Sequence, residues 1–143
     1  MDQSEKSNQL REQIRELERK LGILQENQNA CCSVTLAQCH ALVEIGRAGE
    51  ISLNELADKL NLDNSSMSRT VNKLVTGGLA ARDIDPEDRR YVTISLTGEG
   101  RKQFGSIEES MNAYFLKIYS AIPQDKQEQV LESIQILLEA ISE

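Results

Sequence analysis

The chain has 143 residues, a formal net charge of -7, 39% hydrophobic side chains, 3% aromatics and no tryptophan. That length suits one compact domain, or one plus an extension, and the composition requires an aliphatic core of the kind that suits helix-on-helix packing. No apolar run approaches the ~18 residues of a membrane span and no apolar signal region opens the chain, so a cytoplasmic protein without a membrane partner is expected. The three cysteines, an odd number, do not make a disulfide framework.

Charge is unevenly distributed. Residues 1–30 carry 5 basic and 6 acidic side chains, residues 31–58 carry 1 and 4, and residues 103–143 carry 2 and 7. Residues 59–102 reverse the sign, with 8 basic and 6 acidic. Total charge argues against a polyanionic partner, whereas this segment permits one.

In chain order, Leu10, Ile14, Leu17, Leu21 and Leu24 recur at alternating spacings of four and three. They form one narrow apolar stripe on a helix over residues 8–26, and a stripe of that kind needs a partner helix. Residues 31–40, CCSVTLAQCH, then gather Cys31, Cys32, Cys39 and His40, which are all the thiols and the sole histidine. Cys31 and Cys32 are expected in the turn after the first helix, and Cys39 on the next helix with Leu36 and Val43. Thiolates favour soft ions such as zinc, copper(I) or trivalent arsenic, and exposed thiols of low pKa respond to oxidants. The spacing is no established zinc signature. Against a sensor or metal role stand a small buried hydrophobe at Cys39 and a surface or core histidine at His40.

Thr35-Leu36-Ala37-Gln38 is a capping box opening a helix to about Ile45, closed by Gly46 or Gly49. Ser52-Leu53-Asn54-Glu55 is a second, opening a short helix to Leu60 with Asn61 suited to a left-handed stop. Asp63 to Ser66 offer N-caps for a third helix, carried by Met67, Val71, Leu74 and Val75 and ended by Gly77-Gly78. The period then shortens. Leu79 to Ile84 reads as a strand, Asp85-Pro86-Glu87-Asp88 as a turn, and Tyr91 to Leu96 as the return strand. Thr97 caps a helix from about Gly98 to Ile122. Pro123 occupies the first position of a last helix, with Val130, Leu131, Ile134, Leu137, Leu138 and Ile141 on one side.

The fold expected is mostly α with a small β-hairpin wing: a winged helix-turn-helix flanked by N- and C-terminal helices, to which the resemblance described below assigns dimerisation. The segments are 1–34 for the first helix and the turn after it, 35–96 for the DNA-binding domain, and 97–143 for the C-terminal helices. In such a fold the second helix of the pair meets base edges with its N-terminal residues. Here Ser65, Ser66 and Ser68 are short donors and acceptors, Arg69 reaches guanine or phosphate, and Asn72 and Lys73 follow one turn later. No acidic residue lies between Asn64 and Thr76. At the wing tip Arg89 and Arg90 suit the negative potential of a narrow minor groove, and Asp88 is placed to brace a neighbouring guanidinium.

The run LNELADKLNLDNSSMSRTVNKLVTGGLAARDIDPEDRRYVTISLTGEG resembles the MarR family of bacterial and archaeal transcription regulators. The resemblance rests on GGLAAR after the recognition helix, DPEDRR at the wing and SLTGEG at the next helix start. The flanking helices match in order and length. It implies a homodimer whose first helix and last two helices form the interface, seated on double-stranded DNA at a pseudo-palindromic operator. It places the family's wing arginine on Arg90 and its bracing aspartate on Asp88, with Arg89 at a variable position. It further implies a non-enzymatic regulator, usually a repressor, released by a small-molecule effector or an oxidant. No cofactor is required, with a soft metal or metalloid at the cysteines as the one candidate. The competing reading is a winged-helix protein-interaction module without specific DNA binding. A thiol enzyme is disfavoured, because Cys39 and His40, as neighbours on a helix, point about 100° apart.

Overall fold

The computed structural model describes residues 2–32, 35–88 and 91–141, and their side chains except those of 23–32. Two compact units are present, Met1–Ile107 and Glu108–Glu143.

In the first unit, α1 runs Gln3–Cys32. It is longer at both ends than the apolar stripe, because no breaker follows Gly22, so the polar segment 25–30 continues the helix. Cys31 and Cys32 therefore close α1 instead of occupying a turn. Leu10 and Leu17 are 46% and 48% exposed, so the first unit leaves the stripe open at these positions.

Helix α2, Leu36–Ala48, opens on the expected capping box. Thr35 Oγ1 accepts from the Gln38 N–H, and Gln38 Oε1 accepts from the Thr35 N–H, both at 3.2 Å. It ends at Gly49, whose φ of 79° suits a residue without Cβ. Gly46 lies inside the helix, where a Cβ would meet the Phe104 ring at 2.5 Å.

A short strand, β1 (Glu50–Ser52), was not foreseen in the sequence. It makes the wing a three-stranded antiparallel sheet of order β1-β3-β2, where β2 is Ala80–Ile84 and β3 is Val92–Leu96. Ser52 ends β1 opposite Thr93 and also caps α3, Leu53–Leu60. Its Oγ accepts from the Glu55 N–H and donates to Glu55 Oε1, both at 3.1 Å. The Glu55 side chain is thus bonded to the hydroxyl, in place of the backbone N–H of a full capping box. Asn61 stops α3 in the left-handed conformation, φ 54° and ψ 43°.

Helix α4, Asn64–Thr76, buries Met67, Val71 and Leu74. These join Leu42 and Ile45 of α2, Leu56 of α3 and Ile94 of β3 as the largest fully buried side chains. Burying each such aliphatic side chain is worth ~1.5–3 kcal/mol. The core thus fixes which face of α4 turns outward.

Helix α5, Gly98–Ala121, begins in the first unit and ends in the second. In the second unit Pro123 precedes a 3-10 turn, Gln124–Lys126, and then α6, Gln127–Ile141. Pro123 is not the first α-helical residue; its ψ of 134° is extended, and the 3-10 turn intervenes. Gln127 Nε2 donates to the carbonyls of Tyr119 and Ile122 at 3.1 and 3.2 Å, satisfying acceptors at the α5 end. Helix α6 buries no side chain. Among the described residues no helix is long and apolar enough to cross a membrane.

Candidate nucleic-acid interface

Because Met67, Val71 and Leu74 turn into the core, the 3.6-residue repeat sends Ser65, Arg69, Asn72 and Thr76 to the opposite side of α4. All four are exposed, as is Lys73; Ser66 and Ser68 flank them half-buried. The outward face therefore carries hydroxyls, an amide, a guanidinium and an ammonium, with no carboxylate.

The N-terminus of α4 is held by Asp63. Its Oδ1 accepts from the Ser66 N–H at 2.6 Å. That bond first, the Ser66 hydroxyl next, and the positive charge of Arg69 last hold the Asp63 carboxyl below its ordinary pKa, against a small opposing effect of desolvation. Arg69 in turn donates to Ser66 Oγ at 3.2 Å. Ser66 is thereby occupied with the cap and with Arg69, while Ser65 faces solvent.

Further along α4, Asn72 Oδ1 accepts from Arg82 Nη2 of β2. Arg82 was not singled out in the sequence. Its position in GGLAAR was the available signal, but its partner lies ten residues back on another element.

The junction leaving α4 is closely tied. Gly78 has φ 79°, Thr97 Oγ1 donates to the Gly78 carbonyl at 2.7 Å, and the Thr97 N–H donates to the Leu79 carbonyl at 3.0 Å. At the wing tip Asp85 Oδ1 accepts from the Glu87 N–H at 2.9 Å, the expected self-capped turn. The Tyr91 N–H donates to the Asp88 carbonyl at 3.0 Å. Arg89 and Arg90 lie outside the described residues, so the brace expected from Asp88 falls outside them too.

Cys39 lies on α2 and is partly exposed rather than fully buried, and His40 beside it is exposed. Among the described residues no three His, Cys, Asp or Glu side chains gather as metal ligands. The side chains of Cys31 and Cys32 lie outside that description.

The family model described as MarR family matches residues 34–92, which span α2 to the start of β3. Among curated relatives, the uncharacterized HTH-type transcriptional regulator YdgJ of Bacillus subtilis (strain 168) is 23% identical over 72% of this chain and 63% of its own length. The HTH-type transcriptional repressor MdtR of the same organism is 26% identical over 65% of this chain and 60% of its own length. The chain thus aligns with somewhat under two thirds of these two relatives. Among solved structures, Streptococcus pneumoniae FabT in complex with DNA superposes with a TM-score of 0.85 at 17% identity, covering 95% of this chain and 97% of that one. A mutant E.coli MarR complexed with operator DNA gives 0.77 at 22% identity, covering 99% of both chains. With the wing, the capped helix pair and the match over residues 34–92 in agreement, that segment is similar to the MarR family, and the chain has the winged helix-turn-helix fold of these solved structures.

Proposed function

We propose that this chain is a sequence-specific double-stranded DNA-binding transcriptional regulator without enzymatic activity, acting as a homodimeric repressor. The observation that carries this reading is the outward face of α4. It is uniformly polar or cationic, free of carboxylates, and held rigidly opposite Met67, Val71 and Leu74. Ser65, Ser68, Arg69, Asn72 and Lys73 meet the major groove in this reading, with Ser66 orienting Arg69. Arg89, Arg90 and Asp88 serve the adjacent minor groove. DNA complexes among the fold neighbours support it, and they disfavour a winged-helix module that binds only protein.

The homodimer is supported by apolar side chains left exposed on α1 and α6, among them Leu10, Leu17, Leu131, Ile134, Leu138 and Ile141. Two copies would read a pseudo-palindromic operator with half-sites one helical turn apart. Release we assign to a small effector, with a thiol-reactive or soft-metal signal at Cys31, Cys32 and Cys39 as its chemistry and His40 as a neighbouring ligand. The placement of these residues at the end of α1 and the start of α2 supports that assignment.

Selection from a random duplex pool tests the DNA reading. Enrichment of a pseudo-palindrome, with binding weakened by Arg90→Ala at unchanged stability, is expected. A pool that stays random would reject the reading. Peroxide, zinc, copper or arsenite should release DNA from the wild type and not from a form with all three cysteines replaced by serine. Equal release from both would remove the thiols from the mechanism.

A further inference from the structure

We infer that Arg82 is a positioning residue that fixes the Asn72 amide so that its NH2 group faces the nucleic acid, making Asn72 a donor to acceptor atoms of DNA. This rests on the DNA-binding reading above. A side-chain amide has two unlike ends and, when free, presents either one. A guanidinium has only donors, so the atom turned to Arg82 must be the carbonyl oxygen, as it is. The NH2 end is then left for a partner outside the chain. Asn72 is exposed, lies on the outward face with Ser65, Arg69 and Thr76, and follows Arg69 by three residues, so it is within one turn of it.

Arg82 is itself set by the sheet. It pairs with Ile94 in the β2–β3 register, and Ile94 is fully buried. Arg82 therefore leaves the sheet on the same face as Ile94, and its exposed guanidinium reaches α4. The same bond joins the wing to the recognition helix. The acceptors an NH2 group can meet on DNA are a base edge (purine N7, guanine O6, thymine O4) or a phosphate oxygen. An amide free to turn would also accept from adenine N6 or cytosine N4, so the bond to Arg82 narrows what Asn72 reads.

The test uses the full chain and the duplex it enriches most from a random pool. Asn72→Asp keeps the shape and keeps an oxygen toward Arg82, yet has no NH2 to offer. About a tenfold loss of affinity is expected. Arg82→Met should give a comparable loss, Arg82→Lys should restore most of it, and Asn72→Ala with Arg82→Met together should lose no more than Asn72→Ala alone. Two arms separate the acceptors. A base contact shows as lost preference at one base pair per half-site across single-pair operator variants. A phosphate contact shows as lost sensitivity to one neutral methylphosphonate. Thermal melts of each variant, unchanged within a few degrees, separate positioning from unfolding. Wild-type affinity in Asn72→Asp, or independent multiplicative losses at the two positions, would overturn the inference and leave the DNA reading standing. Failure of the wild type to enrich any duplex would overturn both.

Discussion

Gly100 lies so close to Leu79 that a Cβ built on it would stand 1.9 Å from the Leu79 carbonyl oxygen and 2.9 Å from its carbon. That carbonyl also accepts the Thr97 N–H, while Thr97 Oγ1 accepts from the Gly100 N–H at 3.0 Å. The GGL segment after α4 and the TGEG segment opening α5 thus interlock, and the interlock sets where the wing begins. Gly100→Ala places a methyl group against backbone, which cannot swing aside as a side chain would. It should destabilise the first unit by about 1–3 kcal/mol or more, read as a lowered denaturation midpoint. An unchanged midpoint would mean that the close approach relaxes freely.

Asp63 gives a pH prediction with a definite sign. Its carboxyl is held below the ordinary value by the Ser66 N–H, the Ser66 hydroxyl and Arg69. The folded state therefore binds the proton less readily than the unfolded chain. The cap's contribution is fully present above the ordinary aspartate pKa and is lost as pH falls through the lowered folded value. Asp63→Ala should lower stability at neutral pH, with the gap to wild type closing in acid. Asp63→Asn, which still caps, should lie between them at neutral pH. Paired thermal melts across acid and neutral pH measure this, and a gap that widened toward acid would contradict the sign.

Much of this architecture was legible from local chemistry. The Thr35–Gln38 box, the left-handed Asn61, the self-capped Asp85 turn and the buried Met67, Val71 and Leu74 all follow from neighbours within one turn of chain. What stayed hidden depended on distant partners. Strand β1 is three residues long and exists only because β3, more than forty residues later, pairs with it. The role of Arg82 needs α4 and β2 side by side. The end of α1 was set too early because the apolar stripe stops before the helix does, and the turn expected at Cys31 and Cys32 went with it. On α4, the exposure of Ser65, Arg69, Asn72 and Lys73 was readable from the period of the helix, whereas the engagement of the half-buried Ser66 with Asp63 and Arg69 was not.

Helix α6 carries a prediction about assembly. Leu131, Ile134, Leu138 and Ile141 are 55%, 47%, 52% and 65% exposed, an apolar stripe that a dimer would cover. Ile134→Asp with Leu138→Asp should convert the dimer to monomer in sedimentation equilibrium and weaken operator binding sharply, since one half-site contact would be lost. A double variant that stays dimeric would move the interface elsewhere.

The central claim is that α4 and the wing hold the phosphates and bases of a duplex despite the acidic body. The salt dependence of binding to the enriched duplex tests it most directly. With ~6–10 phosphate contacts, log Kobs should fall linearly with log salt at a slope of roughly -5 to -9, and Lys73→Ala should make the slope shallower by about one. A flat salt response, or a slope that Lys73→Ala and Arg69→Ala leave untouched, would contradict the account.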